Sequence, residues 1–113
     1  MHMEIGDAGE GVVNVTLVGR LDTPGVDRID VQLTSHLVPR GVRAMVDLSQ
    51  VPFIGSGGIR MFITISRALT KKGGKLVLYG AQPLVAQVLL TTSLNEIVPV
   101  RPDASAASTV VRA

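Results

Sequence analysis

The first part of the chain alternates between apolar and polar positions, as β-strands do. Val12–Leu21 places an apolar side chain at most second positions, which predicts a half-buried strand. The turn residues Gly9–Gly11 precede it, so a short strand over Glu4–Asp7 is expected to pair with it as a hairpin. Short apolar runs bounded by Gly, Pro or polar residues predict three further strands: Val42–Leu48, Lys75–Tyr79 and Ile97–Val100.

Apolar residues recur every three or four positions between these strands, as on amphipathic helices. The first helix is predicted to begin at Asp22 or Thr23, either of which can cap it, and to stop at Pro39–Gly41. A third helix is predicted over Pro83–Thr91. A fourth is predicted over Ala104–Val111, with Asp103 as its cap.

The second helix is predicted to begin near Gly57, with Ser56 as its N-cap, and to end before Gly73 and Gly74. Arg60, Arg67 and Lys71 fall on its outer face, which is either a solvated face or a docking stripe for an acidic partner. Its inward face is predicted to carry Ile59, Phe62, Ile63, Ser66 and Leu69.

The predicted order of elements is β-β-α-β-α-β-α-β-α. Alternation of strands and helices implies a parallel sheet, to which the opening hairpin adds an antiparallel edge. We therefore predict an α/β fold: one domain over residues 1–113, with a mixed, mostly parallel sheet of about 4–5 strands and about four helices. Residues 1–3 are expected to be flexible or derived from cloning.

Composition narrows the classes of function. Hydrophobic residues make up 46% and aromatic residues 3%, so the core must be aliphatic. Only 18% of residues are charged, which indicates either a tightly packed small domain or a surface covered in part by a partner. A net charge of +2 with two Phe, one Tyr and no Trp does not favour nucleic-acid binding.

Several kinds of site and location are also disfavoured. The chain has no cysteine, so neither a disulfide nor a cysteine-based metal site is expected, and no cofactor is predicted. No apolar run approaches the length of a membrane span, and the N-terminus lacks the pattern of a signal peptide. These features favour a cytoplasmic protein without membrane insertion.

The candidate chemistry lies in a glycine-rich helix start, Gly55-Ser56-Gly57-Gly58. A helix start offers unpaired N–H groups and the positive end of the helix dipole, and both suit an anion or an acidic group of a partner. A hydrolase serine would need the motif Gly-x-Ser-x-Gly and a histidine base. Ile54 stands two positions before Ser56, where this motif requires glycine. The glycine spacing also fails the dinucleotide fingerprint, because Arg60 stands where the last glycine belongs.

The stretch resembles the STAS domain family of anti-sigma factor antagonists. That family has a strand ending in Asp-Leu-Ser and, after an aromatic-Ile pair, Asp-Ser-Ser-Gly-Leu at a helix start. Here Asp47-Leu48-Ser49 is followed by Phe53-Ile54 and then by Gly55-Ser56-Gly57-Gly58-Ile59-Arg60. Gly19-Arg20-Leu21-Asp22 is similar to the family's Gly-Glu-Leu-Asp, and Gly73–Leu78 to its next strand. The resemblance covers roughly residues 4–111.

The resemblance implies a binding protein and not an enzyme. It implies that the chain engages a serine-protein-kinase type of anti-sigma factor and frees a sigma factor; no oligomeric state is predicted. The patch expected to bind this partner consists of Asp22, Gly55, Ser56, Gly57, Gly58, Ile59 and Arg60.

The family's phosphoacceptor is the second hydroxyl residue of Asp-Ser-Ser-Gly, and its position falls on Gly57. The preceding aspartate falls on Gly55 and the first serine on Ser56, so Ser56 is the only nearby hydroxyl for a phosphate. We therefore expect a domain without the usual switch. Two alternatives stay open: an accessory module of a transport or lipid-trafficking complex, and a domain that senses a small anion or nucleotide.

Overall fold

Five strands form one mixed sheet in the order β1-β2-β3-β4-β5 in the computed structural model, which describes residues 1–113. β1 and β2 pair antiparallel, and each later neighbour is parallel. The predicted mixed, mostly parallel sheet is therefore confirmed. The strands are β1 (His2–Gly9), β2 (Val12–Val18), β3 (Arg43–Gln50), β4 (Lys75–Tyr79) and β5 (Val100–Arg101).

Four α-helices alternate with the parallel strands in the predicted order. They are α1 (Thr23–Leu37), α2 (Ser56–Lys71), α3 (Pro83–Thr91) and α4 (Ala104–Arg112), with a 3₁₀ turn over Leu94–Glu96. The predicted caps of α1 and α4 are confirmed, since Asp22 accepts from the Gly25 amide and Asp103 from the Ala106 amide. None of the helices is long and apolar enough to cross a bilayer.

The sheet separates two cores of unequal size. The larger contains 22 buried residues from the strands, α1, α2 and α3, and Phe62 is its one aromatic side chain. The smaller contains six buried residues and is covered by α4 through Ala107 and Val111. Both are mainly aliphatic, as the composition requires, and α1 and α2 lie together on the face of the larger core.

Side chains from the sheet fix the end of α4. Arg43 Nη1 donates to the Val111 carbonyl at 3.0 Å, and Lys75 Nζ donates to the Val110 carbonyl at 3.1 Å. The Val110 carbonyl also accepts from the Ala113 amide at 3.3 Å, so these cations add donors to the few that the last turn of a helix has. Lys75 is close to Lys71 and Lys72 in the sequence, but its hydrogen bond to α4 gives it a structural role.

Some predicted boundaries were wrong. β1 begins at His2, because its antiparallel ladder continues to the pair His2–Val18, and Met1 and Met3 pack against the larger core. β2 ends at Val18, after which Leu21 makes an isolated bridge with Ile54.

The last strand is also shorter than predicted and lies later in the chain. It begins at Val100 and not at Ile97, because the Ile97 and Val98 amides both donate to the Leu94 carbonyl. These bonds hold residues 97–98 in the turn that follows the 3₁₀ segment.

The inward face of α2 was predicted correctly in part. Phe62, Ser66 and Leu69 are buried as predicted, but Ile59 and Ile63 are only half-buried. Met61 and Ile65 take the central positions, and Gly58 continues the same stripe. Because glycine has no side chain, the pattern gave no sign that this face reaches the first turn of the helix.

Candidate functional site

The loops that precede α1 and α2 lie side by side at the carboxyl edge of the sheet. The Leu21 amide donates to the Phe53 carbonyl at 2.8 Å, and the Gly55 amide donates to the Leu21 carbonyl at 2.9 Å. Together with the bridge between Leu21 and Ile54, these bonds fix the two loops to each other. The starts of both helices consequently belong to one surface.

Gly55 is the N-cap of α2, so the prediction of Ser56 as its cap was wrong. Ser56 is the first residue of the helix, and no side chain hydrogen-bonds to its first turn. The Gly55 amide is held by Leu21, which starts the helix one residue earlier than predicted. Ser56 is exposed at this start.

The first turn of α2 has free donors. The amides of Ser56, Gly57 and Gly58 have no hydrogen-bond partner within the protein, and the turn contains no acidic residue. Such groups and the helix dipole together favour an acceptor or a negative charge from outside.

The glycines of this start have different roles. A Cβ on Gly58 would lie 2.8 Å from Ile54 Cγ1, so a larger residue there would collide with buried packing. A Cβ on Gly57 would meet only Val26 Cγ2, at 3.9 Å, which is ordinary contact. On Gly55 it would lie 3.4 Å from Phe53 Cε2. Gly58 therefore serves close packing, whereas Gly57 leaves space at the surface that a side chain could occupy.

The start of α1 is closed by its own residues. Asp22 Oδ1 accepts from the Gly25 amide at 2.9 Å, and Oδ2 lies 3.4 Å from Arg20 Nε. The hydrogen bond from Gly25 is the largest effect on the pKa of Asp22 and lowers it; burial opposes this as the next largest effect, and the neighbouring Arg20 lowers the pKa further, so that it lies below its usual value. A side chain on Gly25 would run into the Arg20 carbonyl.

Arg20 and Phe53 lie beside this surface, and neither belongs to the patch predicted from the sequence. The Arg20 guanidinium lies 4.4 Å from the centroid of the Phe53 ring, and its side chain is 58% exposed. The Phe53 side chain is 39% exposed. Arginine and aromatic residues are enriched at protein interfaces, so the pair extends the candidate patch.

An open groove of about 380 Å³ runs between α1 and α2 from this start. Ser56, Gly57 and Arg60 line it on the α2 side, and Asp27 and Asp30 line it on the α1 side. Neither aspartate forms an ion pair with Arg60 within 4 Å. The groove thus offers separated charges of both signs.

The structure brings most of the predicted patch together but does not expose all of it equally. Ser56 and Arg60 are exposed, whereas Gly55, Gly57 and Asp22, the cap of α1, are half-buried. Gly58 is buried, and the half-buried Ile59 packs against the larger core. The outer row of Arg60, Arg67 and Lys71 is exposed and makes no ion pair.

The Asp47 side chain stabilises the carboxyl-terminal end of β3. Its Oδ1 accepts from the Ser49 amide at 2.8 Å. Gly80 lies beside this end of β3, since a Cβ on it would be 3.4 Å from Asp47 Oδ1. Burial, and then the Asp47 carboxylate, raise the pKa of Tyr79, whose hydroxyl donates to Asn14 Oδ1 at 2.7 Å.

No nucleophile and base meet at this site. Ser56 shares the groove with Thr23 at the start of α1, whereas His36 is in the last turn of that helix, about 20 Å away by helical rise. His2 belongs to β1, where its ring lies 3.4 Å from Glu4. His, Asp and Glu side chains form no group of three that could hold a metal ion.

The chain matches a known protein family and is similar to characterised proteins. The family model described as the STAS domain matches residues 7–107. An anti-sigma-B factor antagonist of Listeria monocytogenes is 21% identical over 101 residues, which cover 89% of each chain.

Two solved structures share the fold. An anti-sigma factor antagonist of Mycobacterium paratuberculosis superposes with a TM-score of 0.87 at 24% identity, over 99% of this chain and 94% of that one. The murine anion transporter Solute Carrier 26 family member A9 is similar with a TM-score of 0.76 at 19% identity, over 90% of this chain and 18% of the transporter. The fold therefore occurs both alone and within a larger protein.

Proposed function

Because this chain belongs to the STAS domain family, we propose that it is an anti-sigma factor antagonist that acts by binding. It engages a serine-kinase-type anti-sigma factor and so frees the sigma factor that the anti-sigma factor holds. The observation that carries the proposal is the start of α2: no side chain caps it, and its first amides have no partner within the protein.

The surface suits a partner that approaches the backbone closely. The absence of side chains at Gly55 and Gly57 keeps the start of α2 low, so an acceptor of the partner can reach the free amides. Arg20 and Phe53 provide a charged and apolar contact next to it. The proposed patch is Asp22, Gly55, Ser56, Gly57, Gly58, Ile59 and Arg60, extended by Arg20 and Phe53.

We further propose that binding is constitutive with respect to phosphorylation of this chain. Gly57 stands at the acceptor position and has no hydroxyl to modify. The space above Gly57 remains free for the partner, and control then acts through the partner or its supply. Ser56 is exposed beside the same amides, so a phosphate on Ser56 is the outcome that would contradict constitutive binding.

A sigma-release assay tests the proposal. The cognate anti-sigma factor is loaded with its sigma factor, the chain is titrated in, and free sigma factor is measured. Wild type should release sigma factor, whereas Gly57→Asp should need at least about tenfold more protein, since its carboxylate would occupy the amides.

Ser105→Asp is the matched control. It places the same charge on the second residue of α4, at an exposed position on the opposite face of the sheet. Release by Ser105→Asp should equal that of wild type. Equal release by Gly57→Asp and Ser105→Asp would show that the start of α2 is not the binding surface, and no release by wild type would overturn the proposed function.

The alternative of an anion or nucleotide sensor is less well supported by the groove. Asp27 and Asp30 line it opposite Ser56, and two carboxylates disfavour a polyphosphate. An accessory module of a transport complex is the second candidate, because the fold is shared with part of an anion transporter. That role predicts co-purification with a membrane protein and no release of sigma factor.

A further inference from the structure

A second groove lies between α3 and the edge strand β5, away from the starts of α1 and α2. It has a volume of about 370 Å³, within the range of small-ligand sites. None of its lining residues belongs to the candidate functional site. The lining residues are Ala81, Ala86, Leu89, Leu90, Asn95, Val100, Arg101 and Pro102.

The walls of this groove are apolar and partly open. Leu89 is buried at its base, whereas Leu90 is 64% exposed at its side. Ala81 and Ala86 have short side chains, and both are half-buried. The chain contains no charged residue from position 76 to position 95, so α3 presents an unusually uncharged surface to water.

Arg101 is the one charged residue in this lining. It forms no ion pair within 4 Å, and its single side-chain hydrogen bond runs from Nη1 to the carbonyl of Val100 at 2.9 Å. A guanidinium has five N–H groups in a planar fork that matches a carboxylate. Most of its donors are therefore unused in a half-buried, apolar place, where a charge-assisted pair is strong.

We propose that the groove between α3 and β5 binds a small amphipathic carboxylate, with its head on Arg101 and its aliphatic tail along α3. The apolar walls accept the tail and the unpaired guanidinium selects the negative head. A neutral molecule with the same tail lacks the second contact, and a small carboxylate without a tail lacks the first. The proposal is independent of the anti-sigma function.

Decanoate, below its micelle-forming concentration, is a suitable probe. Amide chemical shifts of the labelled protein should move saturably and only in residues 81–90 and 95–102. Decanol, which has the same tail without the charge, should bind at least about tenfold more weakly, because the charge-assisted hydrogen bonds are absent. Acetate should cause no saturable change.

Variants of the lining test the two contacts separately. Arg101→Gln should weaken decanoate binding at least about tenfold, whereas Arg67→Gln, which removes an exposed arginine of α2, should not change it. Ala86→Leu should block the groove. Leu90 is 64% exposed, so Leu90→Gln should not disturb folding. It therefore tests the contact with the aliphatic tail even if Arg101→Gln does not fold.

Three results would overturn the proposal. They are the absence of saturable shifts with decanoate, shifts located on α1 and α2, and equal affinities for decanoate and decanol. Loss of binding in Arg101→Gln and Leu90→Gln, with well-dispersed spectra and unchanged binding by Arg67→Gln, would establish the site.

Discussion

The starts of α1 and α2 lie on one surface and are built in opposite ways. At α1 the Asp22 carboxylate accepts from the Gly25 amide, and Arg20 lies beside that carboxylate. At α2 the cap is Gly55, and no side chain bonds to the first turn. One helix start is thus completed by its own chain, and the other is left with free donors.

We interpret the difference as one between a structural role at α1 and the proposed binding role at α2. A helix start can be stabilised within the protein by a side-chain cap, as at α1. Leaving α2 without one sacrifices some stability but keeps its amides available to a partner. The glycines follow the same division, because Gly25 lies against the Arg20 carbonyl while Gly57 faces free space.

The largest effect is expected at the closed start. Gly25→Ala places a Cβ against the Arg20 carbonyl, which cannot move without disturbing the loop before α1. Unfolding in urea should show a loss of about 3 kcal/mol, the upper part of the usual range for overpacking. A loss below about 0.5 kcal/mol would mean that this loop is not fixed.

The next effect concerns the interface beside both helix starts. Arg20→Ala removes the guanidinium that lies over Phe53, and affinity for the proposed anti-sigma partner should fall about tenfold, because arginine is enriched among the few residues that carry most of the binding energy. Arg28→Ala removes a neighbouring exposed arginine of α1 and serves as the control. Equal affinities of the two variants, measured by calorimetry, would remove Arg20 from the patch.

A smaller effect of opposite sign is expected at the open start. Gly57→Ala adds a methyl group with ordinary contact to Val26, so it should stabilise the protein by about 0.5–1 kcal/mol in urea unfolding. The gain comes from a less flexible unfolded chain and a better helix former. Destabilisation by Gly57→Ala would show that Gly57 is required for folding and would weaken the contrast with Gly25.

The smallest effect is a dependence on pH. The pKa of Asp22 is lowered in the folded state, so the unfolded state binds more protons in acid. The stability from this carboxylate is present above its ordinary pKa and is lost as pH falls through the folded value. Asp22→Asn keeps a capping oxygen without the charge. Between about pH 5 and about pH 2, the stability of this variant should therefore fall less than that of wild type.

Asp27→Asn is the control for removing one negative charge from α1, since Asp27 is exposed and forms no ion pair. Urea midpoints across the acid range compare the three proteins. If Asp22→Asn and wild type lose stability in parallel, the lowered pKa of Asp22 does not contribute to acid stability.

The elements with a clear period or cap were predictable. α3 was predicted with its observed bounds, and the caps Asp22 and Asp103 marked the starts of α1 and α4. These signals are local, because the cap and the helix it completes lie within a few residues of each other.

Features that depend on distant contacts were not predictable. Ser56 is a good capping residue by type, yet Gly55 takes that place because its amide is bound to the distant Leu21. The stacking of Arg20 on Phe53 joins two loops that are far apart in the sequence. Phe53 lies between Pro52 and Ile54, so the local sequence indicated neither its exposure nor its partner.

The most direct test compares wild type with Gly57→Ser, each incubated with the anti-sigma kinase and ATP. Intact mass then reports phosphorylation, and a titration reports binding. We predict that wild type binds without gaining a phosphate, and that Gly57→Ser gains one phosphate and binds at least about tenfold more weakly. A phosphate on Ser56 of wild type, or no binding by wild type, would contradict the account.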